Sequence, residues 1–221
     1  MIETGILFGN IHSYYDLGLI LSSVEIPPAD PKTNYVDIPG ADGSLDLTEA
    51  HGEIKYSDRN CNFIFVMSPT EKMIFEEKKT QISNALNGLA CKIILDKDDS
   101  YYYDGRCTVD KYKQDGHLLQ FTVTARVKPY KLKKTETVAT FELDATRQTF
   151  YLKNSRKPVV PTITITGSEL SNFATIYFKG IELAVSDGTI KSPNICLTEG
   201  INEIEVLGKG TLTFTYQEGD L

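Results

Sequence analysis

Polar and apolar side chains alternate along most of this chain, and a period of two marks strands whose two faces meet different surroundings. Residues 5–11 and 17–26 (LGLILSSVEI) are rich in Ile, Leu and Val, with Ser13-Tyr14-Tyr15-Asp16 bending between them. Pro27, Pro28 and Pro31 end the second strand, because proline has no N–H to give to a ladder. Residues 60–67, 91–95, 106–112 and 118–127 continue the series, with Gln114-Asp115-Gly116 as a hairpin signal between the last two. The period changes once. Ser68-Pro69-Thr70-Glu71 puts Ser at the N-cap, Pro at the first helical position and Glu at the third. Ile74, Phe75, Ile82, Leu86 and Leu89 then recur at helical spacing, and Gly88 is the stop. One amphipathic helix of about 18–20 residues is expected there.

Beyond residue 134 every segment is short and β-like: 138–143, 149–152, 160–166, 174–178, 181–185, 195–197, 201–206 and 211–216. Turns are expected at Asn154-Ser155, Gly167-Ser168, Lys179-Gly180, Asp187-Gly188, Gly200 and Gly208-Lys209-Gly210. About eight strands in so short a stretch predict a small β-sandwich. The run Lys128-Pro129-Tyr130-Lys131-Leu132-Lys133-Lys134 breaks the pattern with a proline and a basic cluster. It reads as a solvated linker, which divides the chain into domains 1–130 and 131–221.

One stretch, 33–59 (TNYVDIPGADGSLDLTEAHGEIKYSDR), fits neither domain's compact pattern. Tyr35, Val36 and Ile38 read as a short strand, Pro39-Gly40 and Asp42-Gly43 as turns, and Leu45, Leu47, Ile54 and Tyr56 restore the alternation. Connections in compact domains rarely exceed roughly 12–15 residues without structure of their own. A protruding arm that reaches a neighbouring copy is therefore expected, with Val36, Ile38, Leu45 and Leu47 anchoring it there, Tyr56 in the same contact and Asp58-Arg59 making a charged contact near its return; the alternatives are that the apolar residues fold back on their own domain and that Asp58 and Arg59 form a surface ion pair.

Composition narrows what the arm serves. The net charge of −7 argues against sequence-independent nucleic-acid binding, which needs clustered Lys and Arg. Residues 1–130 hold most of the acidity, net −6 against −1 for 131–221. Cys61, Cys91, Cys107 and Cys196 show no CxxC pairing and read as buried free thiols. No apolar run reaches the ~18 residues of a membrane span, and the N-terminus lacks the order of a signal peptide.

Chemistry is sparse. His12, His51 and His117 sit in no HExxH, GxSxG or Cys–His pattern. His51 lies among Asp46, Glu49 and Glu53, a conceivable metal site outweighed by solvated acids on an arm. Asp96-Lys97-Asp98-Asp99 lacks the glycine and distal glutamate of a calcium loop and reads as a turn. Tyr101-Tyr102-Tyr103 cannot form one sugar-stacking surface, because neighbours in a strand face opposite sides. No enzyme, cofactor or metal is expected. A carbohydrate-binding adhesion module recognising a cell-wall polymer stands as the alternative to a structural role, weakened by the absence of tryptophan.

The run VDIPGADGSLDLTEA at 36–50, followed by Tyr56-Ser57-Asp58-Arg59, resembles the N-terminal signature of siphophage distal tail (Dit) proteins. Ile26-Pro27-Pro28 before it, the single helix after it and the closing Tyr216-Gln217-Glu218-Gly219-Asp220-Leu221 extend the likeness. It covers residues 1 to about 130 well and the remainder loosely. The resemblance implies an all-β fold with one helix: an N-terminal tail-tube-like β-sandwich or split barrel bearing the arm (belt), and a C-terminal galectin-like β-sandwich. It also implies a virion structural protein assembled in the bacterial cytoplasm and placed at the phage tail tip. That protein is a homo-hexameric ring joining the major tail tube protein to the baseplate or tail tip and its tail-associated lysin, with a receptor-binding protein as a possible neighbour. DNA passes through such a lumen without specific binding, and part of the N-terminal acidity is expected to line it.

Overall fold

Long strands with one buried face organise the N-terminal half. A computed structural model describes residues 5–50, 52–67, 72–115, 118–167 and 172–221. The chain divides into two compact units, residues 1–131 and 132–221.

The first unit contains β1 (Ile6–Phe8), β2 (Ile11–His12), β3 (Ile20–Glu25), β4 (Tyr35–Asp37), β5 (Ser44–Asp46), β6 (Arg59–Met67), α1 (Lys72–Leu86), β7 (Ala90–Leu95), β8 (Tyr101–Asp115) and β9 (Leu118–Val127). Antiparallel pairing gives the order β2-β1-β7-β8-β9-β6-β3. Along β6 the side chains of Cys61, Phe63, Phe65 and Met67 are buried, and along β9 those of Leu119, Phe121, Val123, Ala125 and Val127. The register sets Phe65 opposite Phe121, and their rings stack at 5.5 Å. Phe75, Ile82 and Leu86 of α1 enter the same core, so the helix is held by its apolar stripe as the spacing predicts. The capping box lies outside the described residues. The helix stops at Leu86, and Gly88 takes a positive φ of 82°, a conformation glycine reaches without steric cost. Leu89 packs on the core from beyond the helix end.

The second unit runs from β10 (Lys131–Lys133), which straddles the boundary, through β11 (Thr137–Asn154), β12 (Thr162–Thr166), β13 (Phe173–Phe178), β14 (Ile181–Ser186), β15 (Gly188–Lys191) and β16 (Gly200–Tyr216) to β17 (Gly219–Asp220). The fold is all-β with one α-helix among the described residues. β16 is the spine. β11 lines one side of it from Val138 opposite Thr215 to Asn154 opposite Gly200. On the other side, one half of β16 pairs with β13 and the other half with β12. Both halves feed one buried cluster, including Ile163, Ile165, Leu212 and Phe214 from one and Ala174, Ile176, Ile204 and Val206 from the other.

Here the structure departs from the sequence expectation. Segments 138–143 and 149–152 are one strand, as are 201–206 and 211–216, and Gly208-Lys209-Gly210 is no turn. It lies opposite a bulge between Asp144 and Arg147, where Ala145 has a φ of 67°. A Cβ on Gly208 would meet the Phe173 carbonyl oxygen at 2.3 Å. The glycine is there for close strand approach, which in sequence looks the same as a loop. Residues 195–197 form only an isolated bridge between Val159 and Leu197. In the first unit, segment 5–11 splits at Gly9-Asn10, while the tyrosine run and 106–112 fuse into β8.

Candidate functional site

The stretch 33–59 folds as a hairpin set apart from the sheets. β4 and β5 pair with each other, Tyr35 opposite Asp46, Val36 opposite Leu45 and Asp37 opposite Ser44, and join no other described strand. Its tip turns through Gly40 and Gly43, with φ of 83° and 76°. Leu47 N donates to Asn34 O at 2.8 Å, extending the ladder toward the base. There Lys32 N donates to Lys55 O at 2.7 Å and Ser57 N to Asp30 O at 2.8 Å, with Pro31 bridging Tyr56.

Alternation divides the hairpin into two unlike faces. Val36 lies across from Leu45, and Ile38 and Leu47 fall on the same side two residues on. The four expected anchors thus share one face. Tyr35, Asp37, Ser44 and Asp46 occupy the other, where Ser44 Oγ donates to Asp37 Oδ1. A hydrogen bond from Thr48 holds the Asp46 carboxyl below the usual carboxylate range. The apolar face is open: Val36 is 43% exposed, Ile38 48% and Leu45 49%, with Leu47 half-buried. A lone two-stranded hairpin is marginal in water, and among the described residues nothing covers this one's apolar stripe and unpaired edges.

At the arm's return the residues separate. Tyr56 is half-buried, its ring edge-on to Tyr130 at 6.0 Å. Asp58 and Arg59 do not pair with each other. Asp58 accepts from Arg126 Nε at 3.0 Å on the surface. Arg59 is 6% exposed, donates from Nη1 to Pro27 O at 3.1 Å and lies 5.3 Å over the Tyr103 ring. Its Nε and Nη2 have no partner. Because side chains alternate, adjacent residues leave the strand on opposite faces, which sends the aspartate to water and the arginine inward.

The basic run 128–134 also differs from the solvated linker expected. Lys128 pairs with Asp104, Lys131 with Asp98 at 2.7 Å and Lys133 with Glu218 at 2.9 Å. Glu218, 8% exposed, also accepts from Thr137 and from Ser155 at 2.9 Å. Burial pushes its carboxyl up, but the hydrogen bonds from Thr137, Lys133 and Ser155 outweigh burial, and its pKa is lowered. The closing sequence is thus a clasp on its own unit. Nothing in its composition marks it apart from its place at the end of a strong strand.

Among the described residues no three His, Cys, Asp or Glu side chains gather as a metal site, while His51 lies outside them. No helix among them is long and apolar enough to cross a membrane. Tyr102 and Tyr103 are buried and Tyr101 lies under Lys131, so the tyrosine run serves packing and cation–π contacts.

Taken together, the all-β chain with its detached hairpin has a Dit-like fold. Its whole length is similar to SPP1 Dit (gp 19.1), whose crystal structure is described as a paradigm of the hub adsorption apparatus in Gram-positive infecting phages. The TM-score is 0.74, covering 99% of this chain and 99% of that one, at 12% sequence identity. No protein-family profile matches the chain, and no curated protein matches it in sequence.

Proposed function

We propose that this chain is a distal tail protein of a siphophage: a non-enzymatic virion component that closes, six copies together, into a ring between the tail tube and the baseplate or tip. The first unit with its arm forms the ring, and residues 132–221 present a docking surface to other tail proteins. Head-to-tail contacts close into a ring when the rotation permits.

The observation that carries this reading is the hairpin, with Val36, Ile38 and Leu45 exposed on one face and Leu47 half-buried beside them. A second copy is a fitting cover, because a hairpin's open edge and apolar stripe can extend and pack on a neighbouring sheet. Tyr56, Asp58 and Arg59 fix the angle at which the arm leaves its own body. The acidic balance of the first unit suits a lumen that DNA crosses without adhering, since like charge repels the phosphate backbone.

Mass measurement in solution across a concentration series tests the proposal. The full chain is expected to reach a hexamer, and a variant with residues 34–54 replaced by Asn-Gly to stay monomeric while remaining folded. The short replacement spans the base because Lys32 and Lys55 already pair there. A full chain that is monomeric at every concentration, or a hexamer indifferent to the deletion, overturns the arm's role.

A further inference from the structure

We infer that Cys91 and Cys107 are a disulfide-forming pair, a modification site at which β7 and β8 become covalently tied when the folded chain meets a small-molecule disulfide.

The two cysteines stand on adjacent antiparallel strands. Cys91 lies opposite Gly105, and Cys107 is two residues further along β8, so both thiols face the same core on a diagonal. Both belong to or pack against the buried cluster of the first unit. Gly105, opposite Cys91, carries no side chain beside them. Just before β7 the Cys107 N–H donates to Leu89 O and its carbonyl accepts from Gly88 N, both at 2.8 Å, which holds Cys107 against that end of the strand. The thiols are in hydrogen-bond contact, and all four cysteines are free.

Access and acidity assign different roles to the two sulfurs. Cys107 is fully buried, whereas Cys91 is partly open, beside a groove lined by Gly9, Asn10 and Lys92. The bond from the Cys107 thiol holds the Cys91 thiol below the ordinary cysteine range, against burial and the Asp104 charge. The same bond, with burial, pushes Cys107 up. Thiolate is the attacking species in exchange, so Cys91 attacks first and Cys107 resolves.

The step balances. Cys91, having given its proton to water, attacks one sulfur of oxidised glutathione, forming a mixed disulfide and expelling a thiolate. Cys107 Sγ then attacks Cys91 Sγ, its proton leaving with the second expelled thiolate. Two protein thiols are oxidised to one disulfide, and one glutathione disulfide is reduced to two thiols.

The test is incubation of the full folded chain with oxidised glutathione, alkylation of the remaining thiols and peptide mass mapping. The expected product links the peptides of Cys91 and Cys107, leaves Cys61 and Cys196 alkylated, and reverts with a reducing dithiol. Four alkylated cysteines, a Cys91–glutathione adduct that never resolves, or a link through any other pair overturns the inference. Two variants separate the roles. Cys107→Ser is expected to accumulate glutathione on Cys91, and Cys91→Ser to lower glutathione uptake on the pair at least about tenfold because its remaining thiol, Cys107, is buried. Undiminished uptake at Cys107 in the second variant contradicts the assignment. Mapping of the unmutated chain stands even if either variant folds poorly.

Discussion

Two antiparallel ladders in this chain obey the same alternation and end in opposite circumstances. In the β11–β16 ladder, Leu152, Ile204, Leu212 and Phe214 are at most 2% exposed. In the β4–β5 ladder, Val36 and Leu45 face each other across the strands yet stay 43% and 49% exposed. What differs is the company each ladder keeps. β16 has β11 on one side and β12 and β13 on the other, so its chain folds over its own core, while among the described strands β4 and β5 pair only with each other. Alternation says that a face is meant to be covered; only the neighbours say by whom.

The largest effect is expected in the core. Phe214→Ala removes a ring packed edge-on to Phe141 at 6.2 Å and is expected to cost about 3–5 kcal/mol in urea unfolding of the second unit. Leu45→Ala in a dilute, unassembled chain is expected to change stability by less than about 0.5 kcal/mol. Comparable losses at both positions would mean that the hairpin is covered at home. Self-association reverses the ranking. The double variant Val36→Ala, Leu45→Ala is expected to weaken it by about 2–4 kcal/mol, the range of central interface residues, as read by sedimentation against concentration. Phe214→Ala is expected to act on it only through folding.

The arm was the more legible region in sequence, and the reason is physical. Its turns are drawn with Pro39-Gly40 and Asp42-Gly43, and Val36, Ile38, Leu45 and Leu47 share one face once the hairpin register is set. The second unit was legible as β but not in its connections. Gly208 and Gly210 permit a close crossing, and in sequence that looks the same as a loop. The fates of Asp58 and Arg59 were hidden for another reason. Which charge turns inward depends on strand phase, and the partners Arg126 and Pro27 are distant in the chain. In sequence Glu218 is only one letter of the closing motif; its role rests on Lys133, Thr137 and Ser155, all more than sixty residues away.

Glu218 supplies a region held firmly at home, and so a control for the arm. Glu218→Gln keeps the shape and removes the charge, and is expected to cost about 1.5–3 kcal/mol, the worth of hydrogen bonds to a charged group. The pH dependence has a definite sign. Its folded pKa is depressed below the ordinary 4.5, so the stabilisation is complete above about that pH and is lost as pH falls through the folded value. Unfolding measured from neutral pH downward should show the unmutated chain losing its margin over Glu218→Gln as acidity rises. A margin that grows in acid would contradict the clasp.

The smallest effect is expected at the arm's root. The Asp58–Arg126 pair is open to solvent, with side chains 43% and 74% exposed, so Asp58→Asn should cost the isolated chain only ~0–1 kcal/mol, less still in high salt. If the arm's return is covered when copies assemble, the same substitution acts in a drier setting, where leaving one buried charge unpaired costs more than the surface pair was worth. A double-mutant cycle of Asp58→Asn with Arg126→Gln separates the two cases. On urea unfolding the coupling should be near zero. On self-association it should exceed the unfolding value and resist salt, because a covered pair is screened less than an exposed one. Equal, salt-sensitive coupling in both measurements places the return outside the interface and confines the contact to the apolar face of the hairpin.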